Sequence, residues 1–183
     1  MSMLKNILVF LAFLIISITQ VCAVEPRGYS LQVLNGKQTN EKLTSETSSI
    51  LLYFGSLGLG STSIKITNET DSFKYDLKDS SLDLGYYLNS SLMIGIGAFG
   101  LNPDGSVQSQ TSNVYWSPKK NNGYSIFSNV GFSLGIIEFL FGFQTTSYSF
   151  EEFERTSSGQ TTQLTKPVKG QSSMFKAGLG IHF

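Results

Sequence analysis

The clearest alternation of apolar and polar positions lies at the end of the chain, in residues 172–183. From 175 onward its odd-numbered positions are all apolar: Phe175, Ala177, Leu179, Ile181 and Phe183. The positions between them are small or polar, and include Lys176 and His182. Because successive side chains of a β-strand point to opposite faces, this segment predicts a strand with one apolar and one polar face.

Comparable segments recur along the chain and predict an all-β protein. Six segments predict strands clearly: 50–59, 82–88, 92–98, 124–134, 137–144 and 172–183. A seventh strand is expected near Tyr29, where Leu31 and Val33 continue the alternation. Residues 36–47 then read as a polar loop.

An eighth strand is expected within 64–77. There the apolar residues change parity between Ile66 and Phe73, so a strand crossing this region has to break or bulge. The preceding residues 60–63 are Gly, Ser and Thr, which favour a turn. The alternative to eight strands is six clear strands preceded by an amino-terminal extension.

The connections between the clear strands alternate in length. Tight turns are expected at 89–91 and at 135–136, whereas the polar stretches 102–122 and 151–171 are long. Barrels of the outer membrane have short periplasmic turns, long extracellular loops and strands of about ten residues. The alternation therefore favours an antiparallel up-and-down barrel whose carboxyl terminus lies on the short-turn side.

In these respects the chain resembles the small bacterial outer-membrane barrels of the OmpA, OmpX and opacity-protein type. Their closing strand commonly alternates as residues 172–183 do and ends in an aromatic residue. The resemblance implies a non-enzymatic surface protein that periplasmic chaperones and the outer-membrane assembly machinery insert. It also implies an assembly signal in the closing strand, carried by its outward apolar residues: Phe175, Leu179, Ile181 and Phe183.

The amino terminus has the pattern of a cleaved signal peptide. Lys5 supplies a positive charge, residues 7–16 are apolar, and Val21-Cys22-Ala23 offers small residues for cleavage after Ala23. This apolar run is short for a helix that crosses a bilayer core of about 30 Å. Residues 19–21 lack the pattern of a lipidation site before Cys22. We therefore expect residues 1–23 to be removed and 24–183 to form one barrel domain in the outer membrane.

Composition agrees with a barrel surrounded by lipid. Lys, Arg, Asp and Glu make up 14% of the chain, against about 25% in soluble domains. Loss of Lys5 would leave 12 basic and 13 acidic residues, a net charge of −1, which gives no electrostatic reason to bind nucleic acid. The only cysteine lies in the signal segment, so we expect no disulfide in the mature chain.

Four polar residues share the inward parity of their strands and lie six or seven residues from the expected lower strand ends. They form an expected polar layer in the lumen: Asp83, Asn129, Gln144 and Lys176. An eight-stranded barrel is just wide enough for side chains to fill its interior. A buried Asp83 and a buried Lys176 each need a partner. The layer is thus expected to be a structural plug, with a constriction for small solutes as the alternative.

The sequence gives little support to catalysis, metal or cofactor binding. It contains one histidine, His182, which the strand pattern places at the periplasmic end. Lipid A deacylases of the outer membrane place their Ser–His pair on the outer half of the barrel wall. We therefore expect no catalytic, metal or cofactor site, and a lipid-modifying enzyme is the least favoured of the alternatives.

Two functions from different classes remain. The first is a surface protein whose outer loops contact lipopolysaccharide, host surfaces or other cells, with Tyr115 and Trp116 as contact candidates because aromatic residues often anchor interfaces. The same two residues would also suit the aromatic girdle at the membrane edge. The second is a small-solute pore. A soluble secreted barrel that binds an apolar ligand is a third possibility.

Overall fold

A computed structural model describes residues 28–40, 43–70, 72–111, 114–157, 160–164 and 167–183. The expected signal peptide and its cleavage site lie outside the described residues. The described chain is built from strands, with the bounds β1 Tyr29–Asn40, β2 Leu43–Phe54, β3 Leu57–Glu69, β4 Phe73–Tyr87, β5 Leu92–Phe99, β6 Asp104–Ser109, β7 Tyr115–Trp116, β8 Lys120–Leu134, β9 Ile137–Glu151, β10 Phe153–Ser157, β11 Gln160–Leu164 and β12 Val168–His182.

Eight of these strands close into a ring. The order of antiparallel neighbours is β1-β2-β3-β4-β5-β8-β9-β12, and β12 pairs with β1 to complete the circle. Closure leaves no free edge among the ring strands in the part of the chain that the structure describes, so their backbone groups are satisfied by neighbours.

Four short strands lie at one end of the ring. β6 pairs with the first half of β4 above β5, and β7 pairs with β6. β10 and β11 form a separate hairpin, which a bridge between Ser117 and Glu154 connects to β7. We call the half of the barrel that carries these strands the upper barrel and the opposite half the lower barrel.

The lower barrel carries the tight turns and Phe183. β2 and β3 are joined at Gly55 and Ser56, β4 and β5 at residues 88–91, and β8 and β9 at Gly135 and Ile136. Gly55 and Gly135 have φ of 62° and 65°, a conformation in which a side chain would be strained. The expected tight turns at 89–91 and 135–136 are thus present, and the expected long connections lie at the other end.

The first half of the chain differs from the expectation in its strand limits. The expected strand 50–59 is divided by the turn at Gly55 and Ser56, because its apolar residues continue across that turn. The described residues of the expected loop 36–47 belong to β1 and β2, and the expected turn 60–63 lies inside β3. The parity change after Ile66 is not a bulge, because β3 ends at Glu69 and β4 begins at Phe73. The other errors arose because the upper halves of the strands are polar on their outward face.

The outward face of the ring strands changes from apolar in the lower barrel to polar in the upper barrel, where apolar residues lie inside. In the lower barrel the outward residues are apolar and exposed, as with Leu84 on β4 and Phe139 on β9. In the upper barrel the outward residues are polar, as with Lys78 and Ser149, while Phe150 is fully buried inside. Strand parity is unchanged along each strand, so the reversal lies in the sequence and not in a twist of the backbone.

Candidate functional site

Polar side chains from different strands form a network in the lumen of the lower barrel, beside a cluster of buried apolar and aromatic residues. Lys176 Nζ donates to Ser49 Oγ at 3.0 Å, and Ser49 Oγ lies 2.7 Å from Thr62 Oγ1. Thr62 Oγ1 in turn donates to Asp83 Oδ2 at 2.5 Å, and Ser81 Oγ donates to Asp83 Oδ1 at 2.5 Å. Asp83 and Lys176 do not touch, but two hydroxyls connect them across the barrel.

Gln144 belongs to the same network. Its Oε1 accepts a hydrogen bond from Lys176 Nζ at 2.6 Å, and its Nε2 donates to Thr146 Oγ1 at 3.1 Å. The Lys176 ammonium also lies 5.3 Å from the centre of the Phe127 ring, a cation–π distance. Lys176 therefore has two oxygen acceptors and an aromatic face around its charge.

Asn129, the fourth member of the expected layer, lies apart from the network. Its side chain is fully buried, and neither Nδ2 nor Oδ1 has a hydrogen-bond partner among the described residues. It is paired with Met93 on one side and with Gly142 on the other. The structure thus brings Asp83, Gln144 and Lys176 into one network and leaves Asn129 below it.

A second polar cluster lies at the lower rim and was missed in the sequence. Glu138, which is fully buried, accepts a hydrogen bond from Gln32 Nε2 at 2.9 Å and one from the Tyr87 hydroxyl at 3.5 Å. His182 Nε2 lies 3.2 Å from the same carboxylate oxygen. The alternation of the outward residues Ile137 and Phe139 is the signal that places Glu138 inside.

The lower-rim cluster does not have the geometry of a hydrolase. Ser30 is the residue paired with His182, yet its buried hydroxyl has no hydrogen-bond partner among the described residues. A serine nucleophile needs a base within hydrogen-bond reach. Glu138 instead lies among Gln32, Tyr87 and His182, an arrangement that joins β1, β4, β9 and β12.

The lumen of the upper barrel has an apolar core. Its buried members are Ile64, Ile66, Leu77, Phe99, Val107, Tyr148, Phe150 and Phe153. Val107 and Phe153 come from β6 and β10, so the core attaches these upper strands to the ring. Burial here raises the pKa of the Tyr148 phenol above its ordinary value.

Asp79 fastens the wall where β5 ends. Its Oδ1 accepts from the backbone N–H of Asn102 at 3.0 Å, and its Oδ2 accepts from Asn121 Nδ2 at 2.6 Å. The Asn121 Oδ1 atom accepts in turn from the backbone N–H of Ser149 at 3.1 Å. These bonds tie β4, β8 and β9 together above the short β5.

The two aromatic contact candidates occupy different environments. Tyr115 is 55% exposed, whereas Trp116 is partly buried against the upper core, with its ring 6.4 Å from that of Phe73. Trp116 therefore packs against the upper core, while its expected role as a contact stays a prediction. Its burial could not be read from a two-residue strand inside a polar stretch.

The four residues of the expected assembly signal share the outward face of β12. Phe175, Leu179, Ile181 and Phe183 are each at least half exposed. Phe183 stacks on Tyr29 at 6.2 Å between ring centres, and the two residues exchange backbone hydrogen bonds of 3.0 Å. The end of the chain thus closes the ring.

The described residues contain no group of three or more histidine, cysteine, aspartate or glutamate side chains that could hold a metal ion. Nor do they contain a helix long and apolar enough to cross a membrane.

The comparison with solved structures agrees with this architecture, whereas the comparisons of sequence find no match. No family model and no curated protein matches the chain. Among solved structures, the crystal structure of Neisserial surface protein A is similar, with a TM-score of 0.50 and 13% identity over 85% of this chain and 96% of that chain. The chain has the fold of a small outer-membrane β-barrel. The expected all-β antiparallel barrel of eight strands is therefore confirmed, while identity this low carries no function across.

Proposed function

We propose that the chain is a non-enzymatic protein of the bacterial outer membrane that presents its upper barrel at the cell surface for interaction. The observation that carries the proposal is the exposed apolar face of the lower barrel. It includes large side chains on every ring strand, such as Leu31, Leu84, Ile126, Phe141 and Phe175. An apolar surface that surrounds the molecule is unstable in water and suits the hydrocarbon of a bilayer.

The charged side chains inside the lower barrel support the same location. A soluble barrel that carries an apolar ligand would have an apolar interior and a polar outer surface. Here Asp83, Glu138 and Lys176 are buried inside while leucine, isoleucine and phenylalanine face outward. This arrangement disfavours the soluble ligand-binding alternative.

The filled interior disfavours a pore. In the lower barrel, Tyr53, Met93, Phe127 and Leu140 pack across the lumen together with the polar network. Above them the upper core fills the interior with aliphatic and aromatic side chains. An ion would have to displace two packed layers, so we propose a closed barrel.

The proposed partners follow from the three surfaces. The belt of the lower barrel would contact outer-membrane lipids and lipopolysaccharide. The exposed face of β12 would be recognised by periplasmic chaperones and the assembly machinery during insertion. The upper surface formed by β6, β7, β10 and β11, which exposes Tyr115, would meet a host or cell-surface ligand.

The membrane location is tested by fractionation and by gel mobility. A closed barrel resists detergent until it is heated, because its backbone hydrogen bonds are satisfied within the ring. We expect the protein in the outer-membrane fraction and different mobilities for unheated and boiled samples. Identical mobility, together with release by a salt wash, would rule out the membrane assignment.

Topology and closure need separate measurements. Protease added to intact cells should cut within 102–122 or 151–171 and leave the turns at 89–91 and 135–136 intact. The opposite cleavage pattern would invert the topology. In planar bilayers we expect no discrete conductance steps, and reproducible steps would favour the pore alternative.

A further inference from the structure

The apolar outer face of the lower barrel is much shorter on one side of the ring than on the other. On β8 the outward apolar residues extend from Leu134 to Tyr124, interrupted only by Ser128. On β2 they extend from Phe54 to Ile50, and the next outward residue is Ser48. The comparison between β2 and β8 depends on the axial level of each residue.

The strand register supplies these levels. Paired outward residues lead once around the ring: Ile181, Leu31, Leu52, Leu59, Leu84, Ile96, Ile126, Thr145 and Ser173. The path began at Ile181 and returns to β12 at Ser173, eight residues earlier in the sequence. Each strand crossed therefore raises the level by one residue, which corresponds to about 2.7 Å for strands tilted by about 36°.

At these levels, polar residues on β1–β3 lie opposite apolar residues elsewhere. Ser48 on β2 and Ile126 on β8 lie at the same level on opposite sides of the ring, and both are exposed. One residue lower, Asn35 and Ser61 lie level with Ile96 on β5. The apolar band is thus about 27 Å tall on β8 and about 11 Å tall on β2, where about 25 Å is usual.

A barrel that sinks or leans on this side does not remove the difference. The lower barrel ends just below the band here, at Phe54 and the turn of Gly55 and Ser56. If this side sank until the top of its apolar band lay at the upper boundary of the hydrocarbon, hydrocarbon of normal thickness would enclose the turn and the backbone of Gly28. Turn backbone in hydrocarbon leaves polar groups without partners, at several kcal/mol each.

The polar area is continuous with charged residues that need water or head groups. Directly above Asn35, Ser48 and Ser63 on the same faces lie Lys37, Glu46 and Lys65. The side chains of Lys37 and Glu46 are 62% and 45% exposed and form an ion pair of 2.7 Å. The buried centre of a protein interface is depleted in charge, which argues against a second copy of the chain on this face.

We infer that the outward face of β1–β3 binds the anionic head groups of outer-leaflet lipids, which descend to the level of Asn35, Ser48 and Ser61 and thin the leaflet on this side. The serine hydroxyls and the asparagine amide supply hydrogen-bond donors. Lys37 and Lys65, which also pair with Glu46 and Asp76, are the cations next to phosphate. The inference rests on the proposed membrane location.

The experiment places one nitroxide label at a time in the full-length chain, in a Cys22→Ser background. Ser48→Cys tests the polar part of the outward face of β1–β3, and Ile126→Cys is the matched control at the same level. Ser56→Cys reports on the lower turn. In vesicles that contain lipopolysaccharide, collision with oxygen reports hydrocarbon and collision with a water-soluble nickel complex reports polar surroundings.

We expect a nickel-to-oxygen accessibility ratio several-fold higher at position 48 than at 126, with position 56 accessible to nickel. Oxygen-dominated collision at both 48 and 126 would overturn the inference. A label at position 56 that lies in hydrocarbon would also overturn it, because this side of the barrel would then have sunk into the membrane. A label at position 48 that is shielded from both reagents and shows spin–spin broadening would overturn it as well, because a second copy of the chain would then cover this face. A label at 126 outside hydrocarbon would refute the proposed membrane location itself.

Discussion

The lower and upper barrels are built from the same strands with opposite distributions of polarity. On β9, the lower part turns Phe139 and Phe141 outward and Glu138 inward, whereas the upper part turns Ser149 outward and Phe150 inward. Strand geometry fixes only which residues share a face. In the proposed location, with lipid below and water above, the surroundings account for which of the two faces is apolar.

The two halves are therefore stabilised differently. The upper barrel buries apolar side chains away from water, as a soluble domain does. In the proposed membrane location the outer side chains of the lower barrel would face an apolar solvent, so its stability would depend on the closed backbone ladder and on satisfied hydrogen bonds in the lumen. Asp83 with two hydroxyl donors, and Lys176 with two acceptors, show this satisfaction.

The largest effect is expected from Phe150→Ala in the upper core. Phe150 is fully buried, and truncation of a buried phenylalanine costs about 3–5 kcal/mol of unfolding free energy. Phe141→Ala is the matched control, because that ring already faces outward from the lower barrel. Protease digestion should accelerate in the upper strands of the Phe150 variant while the heat-dependent gel shift persists. Equal effects of the two substitutions would contradict the division into two halves.

The next largest effect is expected from a charge placed on the outer face of the lower barrel. Leu84 lies near the middle of the belt on β4, and lysine at a bilayer midplane costs about 2–4 kcal/mol. Ser80→Lys, on the same face and four residues higher, is the control and should be nearly neutral. Unfolding in lipid vesicles measures both. If Leu84→Lys is as mild as Ser80→Lys, the face at Leu84 is not in lipid.

The fold could be predicted from the sequence where the outward residues of the strands are apolar. The alternation around Leu84 and Leu179 is regular, and near Ile126 only Ser128 interrupts it. It weakens in the upper halves of β1–β4, where small polar residues such as Ser48 and Ser63 occupy outward positions. Strand limits there were wrong, because an upper strand with polar outward residues resembles a loop.

The lumen residues could be predicted only in part. Parity and distance from the turns identified Asp83, Gln144 and Lys176. Parity cannot reveal which side chains lie between them, so it does not predict the hydroxyls of Ser49 and Thr62. These residues lie on β2 and β3, whose pairing register the sequence pattern does not determine. Hydrogen bonds across a lumen depend on the register of every intervening strand, which no single segment contains.

The Asp83–Lys176 network should show coupling across the lower lumen. Asp83→Asn and Lys176→Met each remove the opposite charge at the far end of the hydroxyl relay and leave the remaining buried charge uncompensated, at about 1–3 kcal/mol. The double variant should recover part of the loss, since no unpaired charge remains. Unfolding midpoints in detergent measure the three variants. Strict additivity would show that the hydroxyl relay carries no coupling.

Asp76→Asn on the upper, outer part of β4 is the control for that cycle. Its carboxylate lies 3.6 Å from Lys65 Nζ, and both side chains are well exposed. Exposed pairs contribute little because water and salt screen them. Its removal should therefore change the midpoint far less than the removal of the Asp83 charge.

The smallest effect is expected from the ion pair between Lys37 and Glu46. The hydrogen bond from Lys37 lowers the pKa of the Glu46 carboxyl below its ordinary value. A carboxyl whose pKa is lower in the folded protein adds stability above its ordinary pKa, and this addition disappears as the pH falls through the lowered value. Glu46→Gln should thus slightly speed amide exchange at the top of β1 and β2 at neutral pH. The difference from the unmodified protein should vanish in acid and shrink in high salt, since the pair is exposed. A difference that grows on acidification would mean that Glu46 is stabilised by its protonated form and not by Lys37.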